Sequence, residues 1–341
     1  MTSPSILAPT PRVQPQAGLP SRVTIYEVGP RDGLQAETDI IPSAVKAELC
    51  RRLYAAGSRD LEITSFVPPT WIPQLADAAE VVAGVEVPQG ARAVALVPNL
   101  RGLQRAIDAG VREVAVVVSA TESFAKANLN TTRTGAIDRA VEVIAAATAE
   151  GIPVRGYVSM AFGDPWEGEV DTATVVSAAA ELHTAGARTI ALGDTIGVAT
   201  PGLTARVVSE TLAAGIPLPG IALHLHDTYG QSLANVHAAL LLGVAEFDAS
   251  VGGLGRCPYA KGATGNLATE DLVWMLHGLG IETGLDLTAL AATTEWLSRV
   301  RGIRAPSNVA RALAAAGLAA ADRADSRADS RTDTAQEVPT A

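Results

Sequence analysis

Short β-branched runs alternate with longer alanine-rich stretches from Val23 to about Gly280. The runs predicted as strands are Val23–Val28, Asp60–Ile63, Ala91–Val97, Glu113–Val118, Val154–Ser159, Thr189–Leu192, Ile221–His226 and Glu246–Val251. They begin roughly 20 to 40 residues apart, room for one crossover helix between each pair. Stretches such as Ser43–Ala56 and Ala136–Glu150 place apolar residues at three- and four-residue intervals, the period of a helix with one buried face. Several of them run into a glycine that can close the last turn, as at Ala56-Gly57, Ala109-Gly110, Glu150-Gly151 and Ala185-Gly186. Eight strand–helix units predict an α/β fold, a (β/α)8 TIM barrel, whose active site belongs at the C-terminal ends of the strands. A doubly wound open sheet is the alternative, but no glycine-rich dinucleotide fingerprint follows the first strand.

Beyond Gly280 the pattern turns helical over Leu287–Val300 and Asn308–Leu318. The expected division is a leader over 1–20, a barrel domain over 21–318 with C-terminal helices from about 285, and a tail over 319–341. Four prolines between Pro9 and Pro20 oppose an amphipathic helix in the leader. The tail contains the near-repeat Ala-Asp-Ser-Arg-Ala-Asp-Ser-Arg and little apolar content, so both termini are expected to be disordered.

Composition narrows the classes. The chain has 341 residues, 48% hydrophobic, enough for one large core. A net charge of −10 gives no electrostatic case for nucleic acid or an anionic membrane, so a bound anion needs local basic groups. Two cysteines, Cys50 and Cys257, make no disulfide framework, which suits a reducing, cytoplasmic setting. No uncharged apolar run approaches the roughly 18 residues of a membrane helix.

The chemistry collects at the strand ends. His224 and His226 are two apart on one strand, so both imidazoles project to the same side. The first strand breaks at Gly29-Pro30-Arg31-Asp32-Gly33, a turn that presents Arg31 and Asp32 at the mouth. Glu62 lies between Leu61 and Ile63 and faces opposite to them; the sixth strand ends in Asp194, and Asn266 follows the eighth. Asp32, His224, His226 and Asn266 form a thiolate-free N/O set suited to Mg²⁺ or Mn²⁺, with Zn²⁺ as an alternative. Cys257 sits in a glycine-rich loop beside Arg256, whose charge favours the thiolate. Cys50 reads as a core residue, and His183, His237 and His277 as surface or packing residues.

These residues resemble the hydroxymethylglutaryl-CoA lyase family. The resemblance is carried by Glu27-Val-Gly-Pro-Arg31-Asp32-Gly-Leu-Gln35, Thr64-Ser-Phe-Val67, Arg155-Gly-Tyr-Val-Ser159 and Leu192-Gly-Asp194-Thr-Ile-Gly-Val198. It continues through His224-Leu-His226-Asp-Thr-Tyr-Gly-Gln231, then Cys257-Pro-Tyr-Ala260 and Gly265-Asn266-Leu-Ala-Thr-Glu-Asp271, covering about Val23 to Gly284 in order. The cysteine loop is its most specific part, since the wider superfamily of barrel lyases and acyl-CoA condensing enzymes generally lacks it.

The resemblance implies metal-assisted retro-Claisen cleavage of (S)-3-hydroxy-3-methylglutaryl-CoA to acetyl-CoA and acetoacetate. It implies Asp32, His224, His226 and Asn266 as ligands of Mg²⁺ or Mn²⁺, with no organic cofactor. It further implies Arg31, Asp194 and Cys257 as catalytic residues, supported by Glu62 and Glu27. Arg31, Gln35 and Asn128 are the expected substrate contacts, and a homo-oligomer, taken as a dimer, is the expected assembly. Asp194 is assigned the base and Cys257 the acid, roles the sequence leaves exchangeable. At Pro68-Pro69-Thr70 the chain lacks a lysine usual in the family, which touches acyl-chain or CoA preference. Two other enzyme readings stay open: a lyase for a related 3-hydroxyglutaryl-type thioester, and a condensing enzyme of the isopropylmalate- or homocitrate-synthase kind. A non-catalytic CoA-ester-binding barrel is the third.

Overall fold

The computed structural model describes residues 10–255, 265–302 and 304–317. Eight parallel strands close on themselves in sequence order, β1 (Thr24–Glu27), β2 (Asp60–Ser65), β3 (Arg92–Leu96), β4 (Glu113–Ser119), β5 (Val154–Ser159), β6 (Thr189–Asp194), β7 (Ile221–Leu225) and β8 (Glu246–Ala249). The helices, in chain order, are α1 (Ser43–Ala55), α2 (Ala78–Gly84), α3 (Leu100–Asp108), α4 (Glu122–Leu129), α5 (Arg133–Ala149), α6 (Thr172–Ala185), α7 (Pro201–Ala213), α8 (Ser232–Leu240), α9 (Thr269–Gly278), α10 (Leu287–Arg301) and α11 (Asn308–Ala315). β8 pairs back to β1, with Tyr26 opposite Asp248, so the sheet has no free edge. The (β/α)8 barrel is therefore present, with α4 as an extra helix before α5 and with α10 and α11 after the eighth unit.

The helix stops follow the glycines. Gly57, Gly110, Gly151 and Gly186 all have φ between 70° and 114°, the left-handed region where a Cβ is costly. At Gly57 the space is also closed, because an added Cβ would collide with the Gly284 carbonyl oxygen. The Asp286 amide donates to the Ala56 carbonyl at 2.8 Å and ties the end of α1 to the segment leading into α10.

Alternation along the strands divides the core in two. Ile25, Leu61, Ile63, Val158, Ile190, Leu192, Leu223 and Leu225 belong to a large outer cluster between strands and helices. Tyr26, Val94, Leu96, Ala115, Tyr157, Ala191 and Ala222 fill the lumen in a separate cluster. This parity decides which polar residues reach the barrel interior, and it follows from the two-residue repeat of a strand.

Residues 10–20 contain no strand or regular helix. The Gln14 amide donates to the Gly278 carbonyl at 2.7 Å, and the Gln16 side chain meets His237 Nε2 at 3.1 Å. Leu318 and residues 319–341, like residues 256–264, lie outside the described residues. No helix among the described residues is long and apolar enough to cross a membrane.

Candidate active site

At the C-terminal end of the barrel a cleft is lined by Arg31, Asp32, Gln35, Asn128, Tyr157, Ser159, Thr195, His224 and His226 among others. It opens to solvent, and counting that open side it spans about 1020 Å³. Apolar side chains line it as well, among them Val67, Ile72, Leu96, Val117, Phe124 and Leu129.

The two histidines come together as their spacing requires. His224 and His226 follow Ala222 on the lumen side of β7, and their Nε2 atoms face each other at 3.3 Å. Asp32 completes a group of three whose ligand atoms all lie within 4.8 Å of one another. Asn266 donates through Nδ2 to Asp32 Oδ2 at 2.8 Å and to the Leu254 carbonyl at 2.9 Å. Its buried Oδ1 accepts nothing among the described residues. An unused carbonyl oxygen beside two imidazoles and a carboxylate fits a divalent cation that takes mixed nitrogen and oxygen ligands. Burial opposes charge on Asp32, yet Arg31 and the two histidines outweigh it and hold its carboxyl well below the usual range. The acid is therefore ionised and ready to ligate.

Arg31 is delivered by the turn after β1. The Val28 carbonyl accepts from the amides of Arg31, Asp32 and Gly33 at 3.1, 2.8 and 3.1 Å, which folds five residues into one tight coil. The guanidinium then binds Glu62 Oε1 through Nε at 2.5 Å and Asp32 Oδ1 through Nη1 at 2.7 Å. Gln35 Oε1 lies 3.4 Å from the same Nη1. Glu62, fully buried, also accepts from the hydroxyls of Tyr26 at 3.1 Å and Tyr157 at 3.0 Å. Burial, with the nearby Glu62 charge, raises both tyrosine pKa values well above normal, so both remain donors. Glu62 thus holds Nε of Arg31, which lines the cleft, while Asp32 holds Nη1.

Two expected catalytic residues are placed differently. Glu27 shares the outer parity of Ile25, not the lumen parity of Tyr26. Its carboxylate accepts from the amides of Gly29 at 2.8 Å and Val251 at 2.9 Å and from the Thr269 hydroxyl at 2.7 Å. It ties the Arg31 turn to the segment after β8. Asp194 has the parity of Leu192, and its oxygens accept from the amides of Val198 at 2.9 Å and Ala199 at 3.1 Å. Burial pushes the Asp194 pKa up to about 6, partly offset by those amides and by His224. Gly193 and Thr195 line the cleft in its place. Cys257 and Arg256 lie outside the described residues. The approach to them is closely packed: Gly255, at φ 101°, passes so near that a Cβ would sit 2.5 Å from Asn266 Nδ2.

Sequence reasoning did not single out Asp248, Tyr157, Tyr26 or Arg155 for roles at the site. Asp248 Oδ2 lies 3.0 Å from His224 Nδ1, and Arg155 binds the other Asp248 oxygen and Glu246. The signal was available: Asp248 pairs with His224 in register across β7 and β8. Asn128 reaches the cleft from α4, where the sequence pattern assigned no element.

The HMGL-like family model matches residues 22–297. The chain is 48% identical over 296 residues to the mitochondrial hydroxymethylglutaryl-CoA lyase of Arabidopsis thaliana, covering 87% of this chain and 63% of that protein. It is 47% identical over 297 residues to the 3-hydroxy-3-isohexenylglutaryl-CoA/hydroxymethylglutaryl-CoA lyase of Pseudomonas aeruginosa, covering 87% of this chain and 99% of that one. A crystal structure of hydroxymethylglutaryl-CoA lyase from Pseudomonas aeruginosa superposes with a TM-score of 0.84 at 47% identity, over 87% of this chain and 99% of that chain.

Proposed function

The chain belongs to the HMGL-like family, and from that premise we propose that it is a hydroxymethylglutaryl-CoA lyase, cleaving (S)-3-hydroxy-3-methylglutaryl-CoA to acetyl-CoA and acetoacetate. The observation that carries the reading is the convergence of Asp32, His224, His226 and the unused Asn266 Oδ1 beside Arg31 at the mouth of a closed barrel. Mg²⁺ or Mn²⁺ is the proposed ion, held by those four residues. When bound, such an ion lowers the pKa of a ligated hydroxyl and fixes a neighbouring carboxylate.

Cleavage of the C2–C3 bond removes the C3 hydroxyl proton, turns C3 into the ketone of acetoacetate and leaves the electron pair on the acetyl-CoA enolate. Arg31 is the group for the thioester oxygen, where that negative charge develops. Its Nε is already occupied by Glu62, which fixes the plane of the guanidinium, and a cation so held needs no reorganisation during the reaction. Asp194 is proposed as the base. A carboxylate near pKa 6 is ionised at neutral pH and still basic enough to take a proton. Each of its oxygens keeps a second lone pair beyond the amide it accepts from. Cys257 is proposed as the acid that protonates the enolate carbon. Gln35 and Asn128, both on the cleft wall, are proposed to contact the substrate.

A related substrate is the second reading, because one relative is named for a 3-isohexenyl thioester as well and several apolar side chains line the cleft here. A cytoplasmic homodimer completes the proposal. The test is product identification by mass spectrometry after chelator-treated protein receives Mn²⁺ and the thioester. Equimolar acetyl-CoA and acetoacetate are expected. Preference for a long 3-alkyl analogue would move the assignment to the second reading. Thiol release from acetyl-CoA with a 2-oxo acid, and no cleavage, would replace it with a condensing enzyme.

A further inference from the structure

Beneath the mouth, a charged chain crosses the barrel floor and ends on His224. Glu246 and Asp248 both bind Arg155, one through each terminal nitrogen, and the free Asp248 oxygen meets His224 Nδ1 at 3.0 Å. Arg155 itself is 3% exposed, and its guanidinium carbon lies 4.2 Å from the centre of the Tyr26 ring. We propose that Asp248 is a positioning residue for the metal site: it fixes the tautomer and ring orientation of His224, and Arg155 fixes Asp248 in turn. The proposal rests on the metal reading above and names a residue that reading does not use.

Donors and acceptors fix the tautomer. An ionised Asp248 can only accept, so His224 must carry a hydrogen on Nδ1 to satisfy the contact. A neutral imidazole then has its lone pair on Nε2, the atom that faces His226. Flipping the ring would abandon Asp248 and turn a carbon toward the other ligands. Tyr157 resists that movement, since its ring meets the His224 ring edge-on at 5.8 Å and 83°. Arg155 holds Asp248 in place, because both of its terminal nitrogens are engaged by fixed carboxylates on β8. Asp248→Asn keeps the shape but introduces an amide donor between Arg155 and His224, so either the arginine or the imidazole loses its acceptor.

The test is Mn²⁺ affinity, measured by titration calorimetry on the chelator-treated full chain. Asp248→Asn is expected to bind roughly 10- to 100-fold more weakly, the usual consequence of losing the partner that orients a ligating histidine. Its circular dichroism should match the wild type, and its KM at saturating Mn²⁺ should stay within about twofold, because Asp248 touches no substrate. An affinity within twofold of wild type would overturn the proposal. If the variant does not fold, nitrogen-15 spectra of the wild-type histidine rings decide, with His224 assigned by its loss in His224→Gln. With the ring neutral, a hydrogen on Nδ1 supports the proposal and a hydrogen on Nε2 overturns it. Wild-type protein that takes no Mn²⁺ would contradict the metal reading instead, leaving the tautomer to judge Asp248.

Discussion

At the scale of single residues, Asp194 separates two accounts of one side chain. It can be the base of the reaction, or only the anchor of the turn after β6, where it accepts from Val198 and Ala199. As a base it must be ionised, and burial has lifted its pKa to about 6. Activity should therefore rise with pH through about 6 as the proton leaves, then level off. Asp194→Asn at saturating Mn²⁺ should lose at least about 100-fold in kcat and lose that acidic limb. A variant with kcat within a few-fold of wild type and the limb intact would reduce Asp194 to an anchor. The sequence showed that an acid ends this strand, but not which way it points. Strand parity answers that: Ala191 fills the lumen while Ile190 and Leu192 face the helices, so Asp194 starts on the outer side. The same parity sends Glu27 outward. Applied to His224, His226 and Glu62, the rule put all three on the lumen side, where they stand. Asp248 escaped notice because an acid beside a phenylalanine in a short strand carries no motif; only the pairing of β7 with β8 sets it beside His224.

At the scale of elements, the segment after β8 works through close backbone approach. Gly252, Gly253 and Gly255 all have φ between 68° and 101°. Gly33 of the Arg31 turn has no room for a Cβ either, which would sit 2.7 Å from Ser250 Oγ. The two loops are therefore fitted to one another, and Asn266 reaches Asp32 across the junction. Gly255→Ala adds a methyl 2.5 Å from Asn266 Nδ2 in a backbone conformation that alanine disfavours. Mn²⁺ affinity should fall by roughly tenfold or more, as expected when a ligand is displaced from its support. Titration calorimetry reads this directly, and an unchanged affinity would remove Asn266 from the ligand set. The glycine-rich composition was legible in the sequence, and its reason was not. In the described part the glycines serve close contact between loops. Element boundaries were legible where patterns were strong: β5 matches its predicted range, and α1 ends one residue early. α4 was not assigned from the sequence, where the helical pattern was read only from Ala136; Asn130, in the left-handed region, ends α4 without a glycine or proline to mark it.

At the scale of the whole molecule, closure of the barrel is what turns distant residues into one site. Asp32 and Asn266 are 234 positions apart in sequence, and β1 pairing with β8 brings their segments together. Eight alternating units made the fold legible, since each strand carries its own apolar run and each helix its own stop. The lumen was less legible, because its polar network of Arg155, Glu62 and two tyrosines is held by pairs from strands far apart in sequence. The central claim is that these converging groups hold one ion and that cleavage depends on it. The most direct measurement titrates Mn²⁺ into chelator-treated protein while following binding and thioester cleavage in the same samples. The account predicts one Mn²⁺ per chain at this site, with turnover rising in proportion to occupancy and absent at zero occupancy. Full turnover in the chelated protein, or none at full occupancy, would contradict it.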